Sequence, residues 1–146
     1  MGYQRIKGEF SKVCKVGDII LIQNAMRDGQ EIGRHSFIVV NTDGGQIEGM
    51  PFDFVCNVMS SFTGKGQAYK LRKLSYPDNI PYDPNYVNVP NGNDKEGFIK
   101  PGVLFYFDQS KIDFEVIGDI SIDLYNRIME FIKNADSIEV VTDNLG

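Results

Sequence analysis

The sequence contains few of the histidines and cysteines that zinc sites require, and it has no apolar run long enough for a membrane span. It has one histidine, His35, and two cysteines, Cys14 and Cys56, which show no paired spacing of metal ligands. We therefore expect no zinc site and no cofactor, and we predict two free, buried thiols. No apolar run approaches the roughly 20 residues of a transmembrane helix. Because the N-terminus shows no signal-peptide pattern, we expect a soluble, cytoplasmic protein.

An excess of positive charge is also absent, since the net charge at pH 7 is −5. That balance argues against a protein that binds nucleic acid mainly through bulk electrostatic attraction. One local exception is a basic cluster with Tyr69 inside it and no acid between its members, which are Lys65, Lys70, Arg72 and Lys73. Basic residues beside an aromatic ring suit a single-stranded polynucleotide. A solvated loop that maintains solubility is the alternative.

Apolar patterning predicts the fold class of this single domain of 146 residues. Short β-branched and aromatic runs predict strands at residues 19–22, 37–40, 46–57, 103–107 and 112–116. Ser121 is a candidate N-cap, and Leu124, Ile128 and Ile132 recur at helical spacing, which predicts one amphipathic helix over residues 122–134. Many short strands before one late helix predict a mainly β (α+β) fold, a small antiparallel sheet or barrel.

The connections between these elements are predicted from turn chemistry. Residues 1–15 are a lead-in, residues 24–32 a polar loop, and Thr42-Asp43-Gly44-Gly45 a hairpin signal. Residues 62–100 hold four of the six prolines, including a turn at Pro90-Asn91-Gly92, and form a long irregular segment. Short strands are expected within it at residues 68–71 and 86–89, and a last strand at 137–141. A long irregular segment in a small domain is typically functional or mobile.

Asp108 stands where the predicted strand 103–107 meets the polar residues Gln109, Ser110 and Lys111. A strand end fixes the backbone while the side chain meets solvent, so such positions suit chemistry. The alternative is a turn residue whose carboxylate accepts backbone N–H bonds.

Three stretches together resemble the PemK/MazF toxin family. Gly17-Asp18-Ile19-Ile20-Leu21, the loop with Gly29-Gln30-Glu31, and Gly33-Arg34 before an apolar strand resemble its opening. Val58-Met59-Ser60-Ser61 is similar to its strand ending in Thr-Ser, and Asp108-Gln109 to its acid-Gln pair. The resemblance implies an SH3-like barrel of the PemK/CcdB type over residues 1–146, with residues 62–100 inserted. It also implies a homodimeric, metal-independent endoribonuclease that cleaves single-stranded RNA at short sequences and is inhibited by a cognate antitoxin.

The resemblance also implies site roles. RNA cleavage by the 2′-hydroxyl needs a base, an acid and a cation for the phosphorane charge. Arg34 would supply the charge, Ser60 and Ser61 would hydrogen-bond the phosphate, and Asp108 would act as base or orient a partner. The candidate substrate-binding residues are Gln30, Glu31, His35, Lys65, Lys70, Arg72 and Tyr106. Glu31 is an alternative base, and strand alternation favours a core position for His35 over a position beside Arg34.

The chain departs from the family pattern at three places, and two rival functions stay open. His35 replaces a proline, Tyr106 replaces a cation that some members carry, and residues 62–100 exceed the usual connection. The first rival is a permuted NlpC/p60-like cysteine hydrolase, with Cys56 as nucleophile and His35 as base. The second is a non-catalytic SH3-like binding module.

Overall fold

The β-branched and aromatic runs form strands in the computed structural model, which describes residues 13–90 and 95–146. Residues 1–12 of the predicted lead-in over residues 1–15, and most of the predicted turn at Pro90-Asn91-Gly92, lie outside these ranges. The elements are β1 (Asp18–Arg27), β2 (Gln30–Asn41), β3 (Gly45–Ile47), β4 (Met50–Phe52), β5 (Phe54–Ser61), α1 (Gln67–Ser75), β6 (Ile80–Tyr82), β7 (Val87–Asn88), β8 (Gly97–Ile99), β9 (Val103–Phe107), β10 (Phe114–Ile120), α2 (Ile122–Asn134) and β11 (Glu139–Asn144). Neither described helix is long and apolar enough to cross a membrane.

The main sheet has the strand order β11-β9-β5-β2-β1-β10-β7 and nearly closes into a barrel. Its neighbouring strands are antiparallel, except that β11 runs parallel to β9. At its far end β5 pairs with β8, which in turn pairs with β6. The predicted fold class, a mainly β barrel-like sheet with a C-terminal helix, is therefore confirmed.

Alternating side chains bury both faces of the central strands. Ile20 and Phe37 lie in one core cluster, where the Phe37 ring packs edge-on against Phe105 with centroids 5.1 Å apart. Ile19 and Ile38 lie in a second cluster together with Leu124 and Ile128 of α2. Because α2 covers one face of the sheet and the barrel core lies on the other, strands buried on both faces are continuous apolar runs. Strands with one exposed face alternate between apolar and polar residues.

Several predicted elements agree with the structure in detail. The helix occupies Ile122–Asn134, and the Ser121 hydroxyl accepts a hydrogen bond from the Leu124 amide at 3.2 Å, as an N-cap does. The strand Val103–Phe107 also has the predicted bounds. The last strand begins at Glu139, two residues later than predicted, and ends at Asn144.

The predicted polar loop over residues 24–32 is wrong. Strands β1 and β2 run through it and are joined by a tight turn at Asp28-Gly29, with φ angles of 55° and 77°. These angles match the type I′ hairpin that Asp-Gly favours. A second such turn, at Glu48-Gly49 with φ angles of 53° and 79°, joins β3 to β4. In this part of the chain, the turns lie at residue pairs that adopt positive φ angles, and a run of polar residues does not by itself indicate a loop.

The predicted strand at residues 68–71 is also wrong, because these residues lie inside helix α1. No residue of α1 is buried, so the helix carries no apolar periodicity to signal it. The predicted irregular segment 62–100 thus contains α1 and the short strands β6, β7 and β8. Pairing of β8 with β5, and of β7 with β10, joins this segment to the sheet.

Candidate functional site

A cleft of about 500 Å³ lies where the beginning of β2 meets the end of β5. Part of its lining is apolar and belongs to the core cluster beneath α2: Ile19, Met59, Tyr82, Val89 and Ile117. The rest of its lining is polar or basic: Arg34, His35, Ser36, Ser60, Ser61, Thr63, Lys65, Tyr69 and Lys95. None of these lining residues, within the described ranges, is a carboxylate. We call this site the β2–β5 cleft.

Strand register brings the two sequence-distant halves of the cleft together. The antiparallel ladder pairs Phe37 with Val58 and Val39 with Cys56. Continuing the same register places residues 34–36 beside residues 59–61. Arg34 and Ser60 therefore border one cleft although 25 residues of other structure separate them in the chain.

The Ser60 backbone is fixed by a close approach of three elements. Ser60 pairs with Phe98 of β8, and the Tyr82 hydroxyl donates to the Ser60 carbonyl at 3.4 Å. A Cβ atom at Gly97 would lie 2.1 Å from the Ser60 carbonyl oxygen, so only glycine permits this approach. Burial raises the pKa of Tyr82 to about 12, which keeps its hydroxyl protonated as the donor.

The polar groups of the cleft are suited to an anion. Arg34 is exposed and takes part in none of the ion pairs among the described residues. The Ser60 hydroxyl has no hydrogen-bond partner within those same ranges, whereas the Ser61 hydroxyl donates to Thr63 Oγ1 at 2.9 Å. A free guanidinium, ammonium groups and hydroxyls are the groups that bind phosphate. The carboxylate of Glu115 lines the adjoining pocket, which shares Arg34 and His35 with the cleft.

The structure does not bring Asp108 to this cleft. Phe107 pairs with Phe54 at the start of β5, whereas Ser60 lies near the other end of that strand. The six residue steps from Phe54 to Ser60 span about 20 Å of strand. The Asp108 carboxylate instead accepts hydrogen bonds from the Ser110 amide at 3.0 Å and the Ser110 hydroxyl at 2.7 Å. These bonds hold the pKa of Asp108 below its usual value, as expected for the cap of a turn.

The candidate substrate-binding residues divide between the cleft and other surfaces. His35 and Lys65 border the cleft. Tyr106 packs edge-on against Phe52, with ring centroids 4.8 Å apart, and Lys70 forms an ion pair with Glu96. Gln30, Glu31 and Arg72 are exposed and lie outside the cleft lining.

The structure does not place His35 in the core. Its side chain is half-buried, borders the cleft, and belongs to neither buried cluster. His35 Nδ1 lies 3.4 Å from the Gly33 carbonyl oxygen, a contact too long to fix the ring strongly. The φ of 78° at Gly33 and the shift in strand register beside it break the regular alternation. Alternation alone therefore predicted the wrong environment for His35.

Of the polar and basic residues that line the cleft, four were not predicted as site residues: Ser36, Thr63, Tyr69 and Lys95. Thr63 lies between β5 and α1, and Tyr69 lies within α1. Because the sequence did not predict α1, it did not predict where these two side chains lie. The sequence signal for Tyr69 was the basic cluster around it. Lys95 carries no local signal, because only the pairing of β8 with β5 brings it to the cleft.

Cys56 is fully buried in the barrel core, which argues against the cysteine hydrolase hypothesis. Burial raises the pKa of the Cys56 thiol well above its ordinary value. Partial burial, together with the charge of Asp18, raises the pKa of Cys14 to about 11. Neither thiol is therefore activated as a nucleophile at neutral pH.

Cysteine alkylation checks this conclusion. We expect iodoacetamide at pH 8 to modify Cys56 at least about tenfold more slowly in the folded protein than in urea, because reaction requires local opening. Peptide mass spectrometry over time measures both rates. Rapid modification of Cys56 in the folded protein, as fast as in urea, would contradict the buried position.

Comparison with protein-family models, with curated proteins and with solved structures gave no match for this chain.

Proposed function

We propose that the β2–β5 cleft binds the backbone of single-stranded RNA and that the protein is a metal-independent endoribonuclease. The observation that carries this proposal is that unpaired Arg34, half-buried His35 and the Ser60 hydroxyl border one cleft. The described residues that line this cleft include no carboxylate. Because the whole chain is acidic, binding would depend on this local cluster of donors rather than on net charge.

Phosphate binding follows from the chemistry of the lining. The planar guanidinium of Arg34 can hold two phosphate oxygens at once. The ammonium groups of Lys65 and Lys95 add positive charge, and the Ser60 hydroxyl adds a neutral donor. These groups favour the phosphorane over the ground state, because the phosphorane carries more negative charge.

The proposed reaction uses His35 as the proton acceptor in place of Asp108. The His35 imidazole removes the proton of the ribose 2′-hydroxyl, and the 2′-oxygen forms a bond to phosphorus. The bond between phosphorus and the 5′-oxygen breaks, and the leaving 5′-oxygen takes a proton from an ammonium group of the cleft, Lys65 or Lys95. The products are a 2′,3′-cyclic phosphate and a 5′-hydroxyl.

The PemK/MazF resemblance adds further parts to this proposal. They are a cytoplasmic site of action, a homodimer, recognition of short sequences, and an antitoxin protein that inhibits by covering the cleft. An acidic segment of such a partner would complement Arg34 and Lys65.

Product analysis tests the proposal directly. We expect the purified protein, in excess EDTA, to cut unstructured RNA into fragments ending in 2′,3′-cyclic phosphate. The same oligonucleotide with 2′-deoxyribose at the cut site should stay intact. Asp108→Asn is expected to remain within about twofold of the unsubstituted protein, because Asp108 lies some 20 Å along the strand from the cleft. Intact RNA in all these reactions would contradict the nuclease function, and loss of cleavage in Asp108→Asn would contradict the proposed site.

A binding module for single-stranded RNA is the second candidate function. The observation that favours it is the position of Asp108, which leaves the described lining of the cleft without a carboxylate to act as general base and His35 as its one imidazole. Under this alternative, RNA binds with an affinity that depends on Arg34 but is never cut. The product analysis therefore separates the two functions.

A further inference from the structure

Helix α1 contributes little to the core but forms one side of the β2–β5 cleft. None of its residues is buried, and its N-cap Gly66 makes no side-chain capping bond. The helix contains Lys70, Arg72 and Lys73 but no acidic residue. It reaches the cleft through Tyr69, whose ring lies 6.4 Å from that of Phe62. Because α1 adds no buried side chain to the core, its exposed basic and aromatic side chains are the features that indicate a role for it.

Three cations surround the Tyr69 ring. Lys65 Nζ and Lys73 Nζ lie 5.3 Å from its centroid, and the Arg72 guanidinium carbon lies 5.5 Å from it. None of the three forms an ion pair with an acid of the described chain, whereas neighbouring Lys70 pairs with Glu96. Like charges gathered around one ring repel each other, and a bound anion would relieve that repulsion.

We propose that Tyr69, Lys65, Arg72 and Lys73 form a second RNA subsite beside the one at Arg34. This inference rests on the proposed function, because it assigns the next part of the same RNA strand to α1. The cations bind the phosphates that follow the one at Arg34, and the Tyr69 ring stacks on the intervening base. Stacking on a side chain requires an unpaired base, so the subsite selects single strands.

The distances allow the three cations to leave the Tyr69 ring when an RNA base binds to it. The cations lie near the outer limit of about 6 Å for a cation–π contact, where the attraction is weak. Their long side chains are flexible enough to turn towards phosphates while a base takes the ring face. Tyr69 is half-buried and held beside Phe62, so the ring itself is already positioned.

Binding of a non-cleavable RNA tests the subsite. The probe is a fluorescein-labelled 2′-O-methyl hexauridylate, and fluorescence anisotropy gives its Kd at several salt concentrations. The double variant Arg72→Gln/Lys73→Gln is expected to bind about tenfold more weakly. Its slope of log K against log salt should be shallower by about 1.4, which corresponds to two lost phosphate contacts on a single strand.

A matched control separates a subsite from a general charge effect. Lys111→Gln/Lys133→Gln removes the same charge from exposed residues outside the cleft lining. This control should bind within about twofold of the unsubstituted protein. Far-UV circular dichroism and thermal melting show that each variant folds.

Substitutions at Tyr69 test the stacking contact separately. Tyr69→Phe should keep the affinity, whereas Tyr69→Ala should lose about tenfold, as a lost base–aromatic stack does. A duplex of the same length should bind more weakly than the single strand. Equal affinity of Tyr69→Ala and the unsubstituted protein would overturn the stacking contact.

The outcomes distinguish this inference from the proposed function. If the unsubstituted protein does not bind the probe, both fail. If Arg34→Ala abolishes binding but Arg72→Gln/Lys73→Gln equals its charge control, the second subsite alone is wrong. If polyglutamate of equal charge displaces the probe as well as unlabelled RNA does, the cluster binds polyanions in general and the RNA assignment is overturned.

Discussion

Arg34→Ala is expected to lower kcat/KM for RNA cleavage by about 100-fold or more. The reason is that Arg34 is the one guanidinium among the described residues that line the β2–β5 cleft. Removing one preorganised donor to a developing oxyanion typically costs 10²- to 10³-fold in rate. Arg34→Lys keeps the charge but loses the two-point contact with phosphate, so it should recover only part of the rate. Initial rates on a fluorogenic RNA oligonucleotide measure each value.

The control for Arg34 is Arg127→Ala, which removes an exposed arginine of α2 that lies outside the cleft lining. Its guanidinium lies 6.0 Å from the Tyr86 ring, so the substitution removes one weak cation–π contact outside the cleft. We expect Arg127→Ala to cleave within about twofold of the unsubstituted protein. Loss of less than about threefold in Arg34→Ala would show that the guanidinium does not stabilise the reaction.

Asn144→Ala is expected to lower the free energy of unfolding by about 2–4 kcal/mol. The buried Asn144 side chain accepts a hydrogen bond from the Met26 amide at 2.8 Å and donates one to the Met26 carbonyl at 3.1 Å. The side-chain amide thus takes the place of a backbone partner between β1 and β11, where the sheet nearly closes. Alanine leaves both backbone groups of Met26 without their partners. Urea denaturation followed by circular dichroism measures the change.

Asn134→Ala is the matched control, since Asn134 is exposed at the end of α2 and, among the residues that the structure describes, hydrogen-bonds to Glu130 of its own helix alone. Its substitution should change the free energy of unfolding by no more than about 0.5 kcal/mol. Asn144→Asp keeps an acceptor for the Met26 amide but buries a carboxylate against the Met26 carbonyl, so it should lower the free energy of unfolding at least as much as Asn144→Ala. If Asn144→Ala were as stable as Asn134→Ala, the amide would not join the two strands.

The fold class could be predicted because burial leaves a periodic mark on the sequence. The alternation of Ile112, Phe114 and Val116, and the helical spacing of Leu124 and Ile128, arise directly from which faces meet the core. Helix α1 leaves no such mark, since it buries no residue. The hairpin between β1 and β2 was hidden by exposed polar side chains, although its Asp-Gly turn was visible.

The candidate site could be predicted only in part, because it depends on strand register. Arg34 and Ser60 were predicted together, and the pairing of β2 with β5 places both at the cleft. Asp108 was grouped with them on motif order, but β9 pairs with the opposite end of β5. The position along a shared strand is set by ladder pairing, and neither composition nor motif order encodes it. Tyr106 lies away from the cleft for the same reason, since its partner in the ladder is Val55, near the start of β5.

Photo-cross-linking tests the central claim, that single-stranded RNA occupies the β2–β5 cleft, most directly. A 2′-O-methyl oligonucleotide carrying 4-thiouridine is bound, irradiated, and its attachment sites are mapped by peptide mass spectrometry. We predict cross-links within residues 33–36 and 59–69, and their loss in Arg34→Ala. Cross-links concentrated around Asp108 or on the outer surface of α2, and unaffected by Arg34→Ala, would contradict the account.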